Sequence, residues 1–378
     1  MLREVGTYPF ARLDDAKRAV QARGVELIDF GVGDPREPTA PAIRAALVGG
    51  VRATMEYPKA VGLRELREAI AGWVARRFGV SLDPDTEIVP TLGSKEAVFS
   101  LAQVVVDPGA GKDLVVVTEP GYPVPARGAR FAGARVLTMP LTEAHDFLPD
   151  LDAIAPATWQ RVALFWVNYP NNPTGAVAPL GFYERLAELA ARYGFWVASD
   201  EAYSELMFGD ELPVSALEIV DRSHIVVINT LSKRSSMTGY RSGFVAGPSA
   251  LIAALKLFRP TVGTAPQEFV QRAAIAAWGD EAHVAQARER YRIKRAILAE
   301  VIEAKGLRIA GSVAGMYLWV KTPDGISSEA CAQRLLEHGI VVAPGAFLGA
   351  PGEGFIRFAL VPTIDECRRA AAILREVL

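Results

Sequence analysis

The stretch Phe195-Trp-Val-Ala-Ser199-Asp200-Glu201-Ala202-Tyr203, followed by Ile225-Val-Val-Ile-Asn229-Thr230-Leu-Ser232-Lys233-Arg234, decides the fold. Each half is an apolar run that stops at a polar cluster. A Val/Ile-rich run without polar alternation belongs to a strand buried on both faces, and such strands pair in parallel beneath covering helices. Outward from this pair the same style recurs at Glu87–Thr91, Asp113–Thr118, Ala134–Met139 and Val162–Val167. Helical periodicity fills the gaps, as at Lys95–Val106 and Phe182–Tyr193. Strands alternating with helices predict an α/β fold, a three-layer αβα domain around a mostly parallel sheet.

After Pro248 the pattern changes. Helical text from about Ala265 to Lys305 leads to shorter strands at Met316–Val320, Ile340–Ala343 and Phe355–Ala359, with closing helices at Ser327–His338 and Ile364–Val377. This reads as a smaller α+β unit. The expected division is an arm and segment at 1–45 packing with the small domain, a large domain at 46–250 and a small domain at 251–378.

The 378 residues carry 41 basic and 43 acidic side chains, a formal charge of −2. That balance offers no footprint for nucleic acid and no polybasic membrane patch. No apolar run approaches the roughly 20 residues of a membrane helix, and the first residues do not read as a signal peptide. Cys331 and Cys367 lie far apart and read as buried thiols in a reducing, cytoplasmic setting. The four histidines form no close pair, so a zinc site or a serine-type triad has little to work with. Gly31-Val-Gly33-Asp lacks the third glycine of a dinucleotide fingerprint, and Gly111-Lys112-Asp113 lacks the frame of a P-loop.

The chemistry gathers where strands end, the edge at which open α/β sheets bind ligands. One strand ends in Asp200 and Tyr203, another in Thr230 and Lys233, a third in Asn168-Tyr-Pro-Asn171-Asn172-Pro-Thr-Gly175. An acid and a lysine at the ends of two such strands form either a structural ion pair or a working pair. In the second case the carboxylate serves a cationic ring nitrogen and the amine condenses with a carbonyl, its pKa depressed by burial. Asn172 alone reads as a turn residue. Gly93-Ser94-Lys95 joins a strand to a helix N-terminus, either a phosphate cradle or an ordinary cap with Ser94 at the N-cap. Arg241 offers a fixed charge to the same phosphate. Arg357, amid Phe355-Ile-Arg-Phe-Ala359, must find an anionic partner if buried. Together these specify a pocket for a phosphorylated, protonated aromatic cofactor that condenses with lysine.

Over nearly its whole length the sequence resembles the fold type I, pyridoxal-phosphate-dependent class I/II aminotransferases. Asn171-Asn-Pro-Thr-Gly175, Ser199-Asp-Glu-Ala-Tyr203 and Ser232-Lys-x₇-Arg241 carry the resemblance, with 28 residues from Asn172 to Asp200 and 33 from Asp200 to Lys233. The resemblance implies Lys233 as the Schiff-base lysine, Asp200 as partner of the pyridinium nitrogen, and Tyr203 and Asn172 as hydrogen-bond partners of the ring's phenolic oxygen. It implies Gly93, Ser94, Lys95, Thr230 and Arg241 around the phosphate. Tyr122 would stack on the ring, and Gly33 and Arg357 would meet the substrate, Arg357 at its α-carboxylate. Tyr57 resembles the tyrosine that reaches a neighbouring subunit's cofactor, which implies a homodimer with shared sites.

Leu231-Ser-Lys-Arg-Ser235, Tyr8-Pro-Phe-x-Arg-Leu13 and Gly315-Met-Tyr-Leu-Trp319 look like the N-succinyldiaminopimelate aminotransferase branch, with 2-oxoglutarate as amino acceptor. Met237-Thr-Gly-Tyr240 is instead similar to aspartate-type members. Alternatives are an aspartate/alanine-type enzyme, an LL-diaminopimelate aminotransferase, or a C–S β-lyase on the same scaffold. A long succinylated diacid would need further cations, for which Arg36, Arg234 and Arg259 are the candidates.

Overall fold

The computed structural model describes residues 10–378; the start of the Tyr8-Pro-Phe motif lies outside the described residues. After the helix Phe10–Gln21, a two-residue strand β1 (Ile28–Asp29) leads to the segment carrying Gly33. A seven-stranded sheet follows, built from β2 (Ile88–Thr91), β3 (Leu114–Glu119), β4 (Arg135–Pro140), β5 (Val162–Asn168), β6 (Trp196–Asp200), β7 (Ile225–Thr230) and β8 (Gly243–Ala246). Its order is β2-β8-β7-β6-β5-β3-β4, and β8 alone runs against its neighbours. The expected mostly parallel α/β sheet is therefore present. The sequence reading left out β8, because Gly-Phe-Val-Ala is too short to stand out from a loop. It also left out the helix Arg64–Phe78, whose buried face is interrupted by several charged residues.

Both faces of the sheet are covered. One core gathers Trp73, Phe165, Tyr183, Phe195, Phe244 and Trp278; the other gathers Val98, Leu101, Val115, Leu164, Val226 and Leu251. Each such buried side chain contributes about 1.5–3 kcal/mol of transfer free energy. Helices Ser249–Thr261 and Glu268–Gly279 belong to these cores. The boundary expected at residue 250 thus falls within the packing of the large sheet. The helical run expected at Ala265–Lys305 is broken at Asp280, and the chain leaves the large sheet along the helix Ala282–Ala304.

The smaller unit holds β9 (Ile309–Ala310), β10 (Tyr317–Lys321), β11 (Ile340–Val341), β12 (Ala343–Pro344) and β13 (Phe355–Ala359). Four of these strands form an antiparallel sheet in the order β12-β13-β10-β9. The fifth, β11, pairs in parallel with β1, so the segment before the large sheet is stitched to the C-terminal part of the chain. Three ion pairs, two of them sharing the buried Glu205, fasten the parts that flank the cleft. Glu205 is gripped by Arg77 at 2.8 Å and Arg288 at 2.5 Å, and the buried Lys294 holds Glu37 at 2.8 Å.

Candidate active site

Strands β5, β6 and β7 end side by side, with Asn168 opposite Asp200 and Asp200 opposite Ile228 in the register. Parallel pairing therefore delivers three polar termini to one edge. There a cleft of about 680 Å³ is lined by Gly33, Ser94, Lys95, Tyr122, Asn172, Asp200, Tyr203, Thr230, Lys233, Arg241 and Arg357. Residues more than 300 positions apart in the chain meet in it. Asn168 fixes two of them, donating from Nδ2 to the Asp200 carbonyl at 2.8 Å and accepting from the Asn172 N–H at 2.8 Å.

The electrostatics follow from burial. The Lys233 ammonium is pulled down to about 8, by desolvation first. Asp34 opposes that shift, while Arg357, Arg241 and Lys95 add to it. Lys233 Nζ donates to the Gly33 carbonyl. Asp200 is pushed up to about 6 by burial, against the Ala202 N–H it accepts and the charge of Lys233. Behind it the wholly buried Glu201 accepts from Ser199 Oγ at 3.0 Å and the Ala216 N–H at 2.9 Å, and burial lifts it to about 7.

At the other wall Arg357, 3% exposed, donates from Nη1 to Asn172 Oδ1 at 2.8 Å and from Nη2 to the Gly31 carbonyl at 2.7 Å. The sequence reading demanded an anion for this side chain. These two bonds run to neutral carbonyl oxygens, and the guanidinium lies on the cleft lining.

The model of the family described as aminotransferase class I and II matches residues 25–374. The chain belongs to the class I and II aminotransferases. Members of this family are pyridoxal-phosphate-dependent transaminases, and so is this enzyme. An LL-diaminopimelate aminotransferase of Aquifex aeolicus is 40% identical over 381 residues, covering 100% of this chain and 98% of its own. A crystal structure of an aminotransferase from Neisseria meningitidis superposes with a TM-score of 0.92 at 36% identity, covering 100% and 99% of the two chains. A probable N-succinyldiaminopimelate aminotransferase of Thermus thermophilus gives 0.90 at 33% identity, covering 98% and 100%.

The cleft of the aminotransferase fits its cofactor. Gly93 has φ +74°, and a Cβ there would stand 2.7 Å from Arg241 Nη2, so backbone and guanidinium close on one another as a cradle only glycine permits. Gly93 is itself the N-cap of the helix Ser94–Val105, and Ser94 is its first helical residue without a side-chain cap bond. The ordinary-cap reading of Ser94 is thereby corrected, and the first N–H groups of a helix, which have no intrahelical partner, are the donors a phosphate needs. Arg241, with φ +57°, donates to the carbonyls of Thr238 at 2.8 Å and Leu92 at 3.3 Å. Thr230 lines the cleft, and its hydroxyl also lies within bonding distance of Ser232 Oγ and the Ser242 carbonyl. Lys95 Nζ sits 5.9 Å from the Tyr122 ring.

Other expectations end elsewhere. Arg234 is buried between Trp73 and Trp278, with Glu281 at 2.6 Å; Arg259 is buried against the Pro90 carbonyl and Glu96; Arg36 faces Glu366 at 3.8 Å. None of the three lines the cleft. Their charges tie secondary structures together, a role that composition alone cannot distinguish from ligand binding. Tyr57 is fully exposed and does not line this chain's own cleft. Sequence reasoning also gives no site role to Tyr317, Asp34 and Asp14, all of which line the cleft. Tyr317 was camouflaged as one more apolar residue of a strand, although a tyrosine within Met-Tyr-Leu-Trp-Val needs a partner for its hydroxyl.

Proposed function

We propose that this aminotransferase acts on LL-diaminopimelate, passing one of its amino groups to 2-oxoglutarate. The observation that carries the reading of the site is the meeting of Lys233, Asp200 and Arg357 in one cleft. Pyridoxal phosphate supplies an aldehyde for the amine and a ring that accepts the electrons freed at the substrate Cα. The Ser94 and Lys95 amides and Arg241 would hold its phosphate, and Asp200 would keep the proton on its ring nitrogen. Tyr203 and Asn172 would hydrogen-bond its phenolic oxygen. Lys233, with its pKa brought near the working range, would carry the proton from the substrate Cα to the cofactor carbon that was its aldehyde. Arg357 holds the α-carboxylate in a bidentate grip that aligns the bond to be broken.

Two observations support the substrate. The Aquifex aeolicus relative bears this activity in its name. The charges left over in the cleft, once those roles are filled, are Asp34, Lys95 and Asp14, the last already paired with Lys17 at 3.2 Å. That set suits a distal ammonium and carboxylate. N-succinyl-LL-diaminopimelate, the substrate first expected from sequence, ends in a carboxylate with its amine blocked. The arginines it would have used are committed elsewhere. The Thermus thermophilus neighbour keeps it as the second reading.

A homodimer fits the same site. Tyr57 follows the exposed Val48, Val51 and Met55, and a second hollow lined by Phe99, Val124 and Phe131 opens beside Arg241 and Lys95. That hollow can receive an aromatic hydroxyl from a second copy. Cys331 and Cys367 are buried free thiols, which supports a reducing, cytoplasmic setting.

A donor panel with 2-oxoglutarate tests the assignment. LL-diaminopimelate is expected to give the highest kcat/KM. A higher value for the succinylated donor installs the second reading, and preference for aspartate or alanine removes both. Pyruvate and ammonia from cystathionine without an oxo acid would instead mark a C–S lyase.

A further inference from the structure

We propose that Tyr317 is a positioning residue for transamination, its hydroxyl donating to Tyr203 Oη and thereby aiming the Tyr203 proton at the phenolic oxygen of the cofactor. The inference rests on the cofactor site proposed above and extends it to a residue outside the family motifs quoted from the sequence for that site.

Tyr317 opens β10 and is 2% exposed, with its hydroxyl 2.8 Å from that of Tyr203. Considered in isolation, either oxygen can donate. Each hydroxyl carries one proton, however, and two that face each other at this distance cannot both point inward. An anionic oxygen in the cleft breaks the tie. The Tyr203 proton turns to the stronger acceptor, and the vacated lone pair of Tyr203 is filled by the Tyr317 proton. A donor that itself accepts a hydrogen bond donates more strongly.

The pair is held in place from three sides. The two rings meet edge to face at 5.5 Å. The Arg357 guanidinium lies over the Tyr317 ring, 4.6 Å from its centroid. On the third side, a Cβ at Gly33 would come within 2.3 Å of the Tyr317 hydroxyl, so glycine there leaves the room this oxygen occupies. Tyr317 thus touches the group expected to hold the cofactor ring and the group expected to hold the substrate carboxylate. A phenylalanine would fill the same volume and keep the contact with Arg357; the hydroxyl is what makes the relay.

Hydrogen-bond donation to the phenolic oxygen favours its anionic form, and so lowers the pH at which the bound cofactor loses its proton. The test is a pH titration of the holoenzyme's near-visible absorption band without substrate, in the wild type, Tyr317→Phe, Tyr203→Phe and the double variant. Tyr317→Phe is expected to raise the midpoint by about half a pH unit and Tyr203→Phe by more, with the double variant matching Tyr203→Phe. An unchanged midpoint in Tyr317→Phe overturns the proposal. So does a shift that persists undiminished when Tyr203 is already phenylalanine, since the effect would then bypass Tyr203. A wild-type protein with no titrating band, or a cofactor still fixed covalently by borohydride reduction in Lys233→Ala, overturns the cofactor-site assignment itself. The two failures are therefore distinguishable.

Discussion

Arg357 Nη1 donates to Asn172 Oδ1 across 2.8 Å, which joins the strand that is to hold the substrate carboxylate to the turn that is to hold the cofactor ring. The bond also orients the amide. With Oδ1 committed to Arg357, the Asn172 NH₂ group is the end left to donate into the cleft. Asn172→Ala is expected to loosen both functions at once. A hydrogen bond to a charged group contributes about 1.5–3 kcal/mol, which predicts a loss of roughly 10- to 150-fold in kcat/KM for donors and for 2-oxo acids alike. Steady-state kinetics in both directions checks this, and a loss confined to one direction would count against it.

Lys233→Ala should abolish transamination while leaving the fold intact, because removing a desolvated amine costs the structure its bond to the Gly33 carbonyl and relieves the burial of its charge. In the native enzyme the amine must be unprotonated to capture the cofactor. With its pKa lowered to about 8, the unprotonated fraction grows as pH rises toward and through that value. Stopped-flow mixing of apoenzyme with pyridoxal phosphate should show capture about five- to tenfold faster at pH 8 than at pH 7, flattening above pH 9. A pH-independent rate would contradict the depressed pKa.

Arg234 stands next to Lys233 in the chain, yet it is packed between Trp73 and Trp278 and donates to the Ala277 carbonyl at 2.7 Å. Arg234→Met is expected to cost about 2–4 kcal/mol of unfolding free energy, since Glu281 and that carbonyl lose their partner. The preference among amino donors should stay unchanged. Denaturant melts alongside the donor panel separate these outcomes, and an altered donor ranking would restore Arg234 as a substrate contact.

Glu201 gives the apoenzyme a stability component that depends on pH. Its pKa is raised from the usual carboxylate range to about 7, so the folded chain keeps this proton where the unfolded chain has lost it. That contribution is fully present below about pH 4 and is lost as pH rises through 7. Glu201→Gln, which is always neutral, should flatten the decline in unfolding free energy between about pH 5 and 8, by at most about 3 kcal/mol. Parallel slopes for the two proteins would show that Glu201 does not titrate in this window.

The amino-acid sequence by itself determined the α/β core and the chemistry at its edge. Apolar runs long enough to cross a sheet, each ending in Asp200, Thr230-Lys233 or Asn168–Asn172, are local features, and parallel pairing necessarily brings such ends together. Short-range spacing also sufficed for the turn at Gly93. Only the tertiary structure decided which arginines face the ligand. Arg357 and Arg234 are both charges within apolar text, but one strand of the small sheet carries the first into the cleft, while a helix and two tryptophans enclose the second. It likewise placed Tyr317 against Tyr203, 114 positions away in the chain, and moved Ser249–Gly279 into the large core. Side-chain type fixes what a residue can bond to, whereas long-range packing fixes what it meets. The second is set by how two sheets and their helices close on one another, which no local pattern encodes.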